Sequence, residues 1–107
     1  MSALNFNKEQ FESLRQGEKP MLVDFWAPWC SYCRRIGPAY EKVAEQYGEE
    51  LEVGKVNIDE LPEIAAGEKI EVIPTLVLYR GGKMLGSIVA PDSKAAIDKF
   101  IAESLAK

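Results

Sequence analysis

The run "PMLVDFWA", residues 20–27, limits the possible folds more than any other stretch of this chain. Its apolar side chains do not alternate with polar ones, so neither face of the strand it forms can be left to water. Such a strand belongs inside a sheet covered on both sides, and the cover must come from elsewhere in the sequence. Asn7 and Gln10 read as an N-cap with its reciprocal partner, opening a short helix whose apolar stripe holds Phe11 and Leu14. From Cys30, the residues Ile36, Tyr40, Val43, Ala44 and Tyr47 share one face of a second helix, kinked at Pro38 and stopped at Gly48. "LEVGKVNID" is another buried-strand candidate, and "LPEIAAGEKI" a short helix opened by Pro62. "PTLVLYR", Gly81-Gly82 and "KMLGSIV" read as a hairpin, after which Ser93 or Asp92 caps a helix with Ile97, Phe100, Ile101 and Leu105 on one face. The expected order is β-α-β-α-β-α-β-β-α, an α/β chain with a mixed central sheet and helices on both faces.

A length of 107 residues holds one core, and no repeat or linker interrupts it, so a single domain over 1–107 is expected. The net charge of −4 offers no basic patch to nucleic acid. The apolar runs are strand-length, far short of the roughly 20 residues that span a bilayer, so no membrane partner is expected. "MSALNFNKEQF" shows no secretory signal, which points to the cytoplasm.

The two cysteines, Cys30 and Cys33, flank Ser31 and Tyr32 in "WCSYC". In a reducing compartment a bond closing so small a loop adds little stability, so chemistry is the better reason for the pair. At the start of a helix, Cys30 sits where the dipole and unpaired N–H groups favour a thiolate, which makes it the attacking nucleophile. Cys33, one turn on, can resolve the mixed disulfide. Arg34 and Arg35 add positive potential or are simply solvated surface charges. With no histidine and no third cysteine, one chain cannot complete a four-ligand metal site, and neither metal nor cofactor is expected.

"VDFWAPWC", "GPAY", "KVNID", "IPTLVLY", "GGK" and the closing amphipathic helix together resemble the thioredoxin family over nearly the whole chain. The resemblance implies the thioredoxin fold, a central mixed sheet of four to five strands flanked by four helices. It also implies dithiol–disulfide exchange with protein disulfides, performed by a monomer and sustained by a reductase. By position, Cys30 matches the nucleophile, Cys33 the resolving thiol, and Trp29 the aromatic residue that shapes the docking surface while packing in part. Pro74 matches the proline after a cis peptide. Ile73 before it would then offer backbone groups to an extended substrate.

Asp24 stands out without the family, as a lone carboxylate in an apolar run. Burial raises such a pKa or demands a partner, and Lys55, equally out of place in "LEVGKVNI", is the candidate. Either the two form a buried ion pair that holds strands in register, or Asp24 takes a proton from Cys33, directly or through water.

Two departures matter. Members of the family usually carry Gly-Pro between the cysteines, where this chain has Ser31-Tyr32. A hydroxyl from Ser31 and the ring and weak donor of Tyr32 should stabilise the thiolate modestly, or Tyr32 is an exposed helix residue without influence. The family also commonly has glycine near Ala90, in the loop beside the proline. Both departures bear on which reductase serves the chain. Glutaredoxin-like or isomerase-type use of the dithiol, a partner-binding module, and a cluster carrier drawing on a second subunit and glutathione are the alternatives, the last opposed by Pro74 beside the thiols. Equilibration with glutathione is expected to give a potential of about −200 to −250 mV; a value at or below the roughly −270 mV of thioredoxin would contradict this.

Overall fold

The computed structural model describes residues 2–107. Nine elements follow in the expected order: β1 (Leu4–Asn5), α1 (Lys8–Arg15), β2 (Met21–Trp26), α2 (Ser31–Tyr47), β3 (Glu52–Asn57), α3 (Pro62–Gly67), β4 (Thr75–Arg80), β5 (Lys83–Val89) and α4 (Lys94–Leu105). The strands form one mixed sheet in the order β1-β3-β2-β4-β5, with β2 parallel to β3 and antiparallel to β4.

Strand β2 is buried on both faces, as its unbroken apolar run requires. Met21, Val23 and Phe25 pack with Phe11 of α1 and Ile64 of α3. Leu22, pointing the other way, packs with Tyr40 and Val43 of α2 and with Ile97 and Ile101 of α4. Alternation along the strand places Asp24 on this second face, beneath α2.

Local signals account for most element boundaries. Asn7 and Gln10 form a complete capping box on α1. Ser93, rather than Asp92, caps α4 by accepting the Ala96 N–H. Helix α2 continues through Pro38, which has no N–H to give back to Arg34. Between β4 and β5, Gly81 and Gly82 both take positive φ (59° and 82°), which a two-residue hairpin of this kind needs and glycine supplies without steric cost. A bulge at Leu85 then shifts the ladder, so that Leu78 faces Gly86 and Tyr79 faces Met84.

The leading strand, β1, is two residues long, too short for periodicity to announce it. It pairs with β3 through Leu4↔Gly54. Gly54 is buried because the Phe6 ring occupies the space where a side chain would stand. No helix among the described residues is long and apolar enough to cross a membrane. Gly54→Ala is expected to lower stability by about 2 kcal/mol through overpacking against Phe6. A lowered urea midpoint with an unchanged slope is the measurement that checks it.

Candidate active site

The C-terminal end of β2 delivers the chain into "APWC", and Cys30 becomes the N-cap of α2. Cys30 and Cys33 are joined as a disulfide with their Cα atoms 5.2 Å apart. The Cys33 backbone N–H donates to Cys30 Sγ at 3.2 Å, so the sulfur occupies the place where a helix start offers unpaired donors and a positive dipole end. Cys30 is half-buried, whereas Cys33 is buried. A partner sulfur therefore reaches Cys30 first. Beside it, Trp29 is 66% exposed, held by its Nε1, which donates to both carboxylate oxygens of Asp59 at 3.0 and 3.3 Å.

Beneath Cys33 a cleft of about 250 Å³ is lined by Asp24, Cys33, Tyr40, Glu41 and Lys55 among others. Asp24 is buried, and its Oδ1 has no hydrogen-bond partner among the described residues. Burial pushes its pKa up to about 7, with the Lys55 charge pulling the other way. The two residues face each other in register across β2 and β3, yet the expected direct pairing is absent among the described ion pairs. Lys55 Nζ lies instead 5.0 Å from the centroid of the Trp26 ring, where a π face attracts the ammonium. Lys55 thus acts on Asp24 through its field and not through contact.

The peptide bond between Ile73 and Pro74 is cis. Thr75 Oγ1 closes this turn by donating to the Val72 carbonyl at 2.6 Å. The Pro74 carbonyl in turn accepts the Ala90 N–H at 2.9 Å. Ala90 takes a φ of +47°, the left-handed region that favours glycine. Tyr32 Oη donates to the Pro91 carbonyl at 3.0 Å. Pro74, Ala90, Pro91, Tyr32 and the cysteines are therefore linked in one continuous structure. In this disulfide form neither hydroxyl of the pair between the cysteines bonds a sulfur among the described hydrogen bonds. The hydroxyl of Tyr32 turns away from the sulfurs, and the donor on Cys30 Sγ is the Cys33 N–H, not the Ser31 hydroxyl. Ser31 itself is exposed.

A thioredoxin family model matches residues 2–103. The chain belongs to the thioredoxin family. It is 36% identical over 104 residues to the thioredoxin of Alicyclobacillus acidocaldarius, covering 97% of this chain and 99% of that protein. It is 44% identical over 94 residues to the thioredoxin of Streptomyces clavuligerus, covering 87% of each. The solved thioredoxin of Malassezia sympodialis superposes with a TM-score of 0.86 at 29% identity, covering 97% of this chain and 92% of the other. The protein has the thioredoxin fold and is a thiol-disulfide oxidoreductase. Thioredoxin-family proteins in general act on protein disulfides with a reductase as partner.

Three contact residues escaped the reading of the sequence. Asp59 follows β3 in a polar turn and looks like any solvated carboxylate until Trp29 is seen against it. Thr75 reads as a strand residue. Tyr40 carried a usable signal, since a hydroxyl on an apolar helix face needs a partner. Its single Oη–H donates to the Gly54 carbonyl at 2.7 Å, with the Leu22 carbonyl also within reach at 3.2 Å, beside Asp24.

The raised pKa of Asp24 sets a pH dependence of stability. Below about pH 3.8 folded and unfolded chains both hold the Asp24 proton, and between there and about pH 7 only the folded chain does. Stability from this group is thus fully present at low pH and falls as pH rises through that window. In the oxidised protein, Asp24→Asn removes the slope. The variant is expected to be more stable than the parent at pH 8, by on the order of 4 kcal/mol, and to lose most of that advantage near pH 4. Urea denaturation at the two pH values measures it.

Proposed function

We propose that the chain reduces disulfides of protein substrates in the cytoplasm, acting as a monomer of one domain (1–107) and carrying electrons onward from a reductase. The observation that carries this reading is Cys30 Sγ, accessible at the N-cap of a long helix and hydrogen-bonded by the Cys33 N–H. A negative charge on that sulfur is stabilised by the same N–H and by the helix terminus.

In the reduced protein the Cys30 thiolate attacks one sulfur of the substrate disulfide. A mixed disulfide forms, and the second substrate sulfur leaves as a thiolate and takes up a proton. Cys33 then loses its proton to the Asp24 carboxylate across the cleft and attacks Cys30 Sγ. The Cys30–Cys33 bond forms, and the first substrate sulfur departs and is protonated in its turn. Two electrons have passed to the substrate, together with one proton that Cys33 gives up through Asp24 and one from solvent, because Cys30 enters as the thiolate. A reductase returns them. Asp24 suits the base role because a carboxyl with a pKa of about 7 is partly ionised at neutral pH and can both take and release a proton. Lys55 keeps part of the population ionised through its opposing charge.

Trp29, Ile73, Pro74 and Ala90 form the docking surface. Ile73 is half-buried beside the buried Pro74 and offers its backbone to an extended segment, while exposed Trp29 supplies apolar area next to the nucleophile. Ser31 and the Tyr32 ring, replacing the family's usual pair, make the couple less reducing than an ordinary thioredoxin, while the Tyr32 hydroxyl, bonded to Pro91, takes no part in this.

Three variants test the scheme by insulin reduction, with NADPH and thioredoxin reductase or with glutathione as electron source. Cys30→Ser is expected to abolish turnover, and Cys33→Ser to accumulate the mixed disulfide. Asp24→Asn is expected to slow release from that intermediate by about 10² at neutral pH, the ordinary scale of a positioned base. Release at the parent rate would remove Asp24 from the mechanism. Turnover with glutathione alone would mark glutaredoxin-like use.

A further inference from the structure

Four residues, 90–93, join β5 to α4, and three of their hydrogen bonds fix them against separate parts of the molecule. The Ala90 N–H donates to the Pro74 carbonyl at 2.9 Å, the Pro91 carbonyl accepts from Tyr32 Oη at 3.0 Å, and Ser93 Oγ accepts the Ala96 N–H at 3.1 Å. The first ties the loop to the proline turn, the last ties it to its own helix, and among the described hydrogen bonds of residues 90–93 only the Tyr32 bond ties the loop to the helix that carries the cysteines, Lys94 beyond it bonding Gln46 farther along that helix. Pro91 itself is buried, yet the packing between it and α2 is incomplete. Between α2 and the loop lies a cavity of about 130 Å³, lined by Tyr32, Ile36, Ala39, Pro91, Ser93 and Ile97 among others. An open space lacks the close apolar contacts that would otherwise fix the spacing. Ala90, meanwhile, holds a φ of +47° that an L-residue keeps only when its surroundings impose it.

We propose that the Tyr32 hydroxyl is a strap that positions the Ala90–Pro91 rim of the docking surface, and that it thereby determines how well extended polypeptide disulfides bind. Tyr32 is a positioning residue here and not a catalytic one. Its hydroxyl acts on the loop, away from the sulfurs, and the ring alone spans the distance from α2. Losing the bond frees the Ala90–Pro91 segment to leave its strained conformation and blurs the rim an extended substrate must match. A small disulfide that touches only Cys30 has no use for that rim. The proposal rests on the reading of Ile73, Pro74 and Ala90 as the docking surface.

Tyr32→Phe removes the hydroxyl and keeps the ring. With dithiothreitol as electron source, the KM for insulin is expected to rise about five-fold, the scale of one neutral hydrogen bond, while kcat holds. The rate with 5,5′-dithiobis(2-nitrobenzoic acid) and the equilibrium constant with dithiothreitol are expected to stay at the parent values. Hydrogen exchange at the Ala90 amide should quicken several-fold without change at β2 amides, which separates a loosened loop from general unfolding. An unchanged KM for insulin, an unchanged Ala90 exchange rate, or a shifted equilibrium constant would each overturn the strap. Ala90→Glu, assayed alongside, distinguishes the two levels: Ala90 is exposed, and an unchanged KM for insulin in that variant would remove the docking surface itself, and not merely the part given to Tyr32.

Discussion

Strand β2 gives up almost all contact with water, and the remainder of the molecule is arranged around that demand. Its alternate side chains require two separate apolar covers, which α1 and α3 provide on one side and α2 and α4 on the other. The arrangement places the start of α2 directly past the end of β2, and so places Cys30 at the edge of the core instead of out on a free loop. It also forces Asp24 beneath that helix, where water is scarce and a carboxylate is costly. The reactive sulfur and the unusual acid are thus two consequences of one buried strand.

The groups around the sulfurs come from three separate connections: the turn before α2, the proline turn before β4, and the segment between β5 and α4. Each is short and each is tied by at least one side-chain hydrogen bond, through Arg34 to the Pro28 carbonyl, Thr75 to Val72, and Tyr32 to Pro91. Loops held in this way by rigid elements keep reacting groups in register without burying them.

Most of the fold was legible because its signals are local. A doubled glycine sets a hairpin, Asn7 with Gln10 starts a helix, and an unbroken apolar run marks an inner strand. The cysteine pair could be placed for the same reason, since its chemistry lies within a few residues, whereas the cis proline turn was expected only from the resemblance to the family. What stayed hidden depends on contacts between distant segments. The separation of Lys55 from Asp24 follows from the Trp26 ring, a competitor the pairing of two isolated charges does not reveal. The direction of the Tyr32 hydroxyl depends on Pro91, 59 residues away. The left-handed backbone of Ala90 is invisible in an alanine, because only a glycine there would have advertised it.

The two outer strands of the sheet are unlike its centre. On one side β1 presents two residues, and on the other β5 is bent by the bulge at Leu85 and begins with Lys83 next to the glycine turn. Short, bulged and charged margins are poor templates for another polypeptide. The proposed docking of an extended substrate gives a reason for such margins. Under that proposal a stretched segment sits at the proline turn for the length of one exchange, while the sheet gives it nowhere to continue.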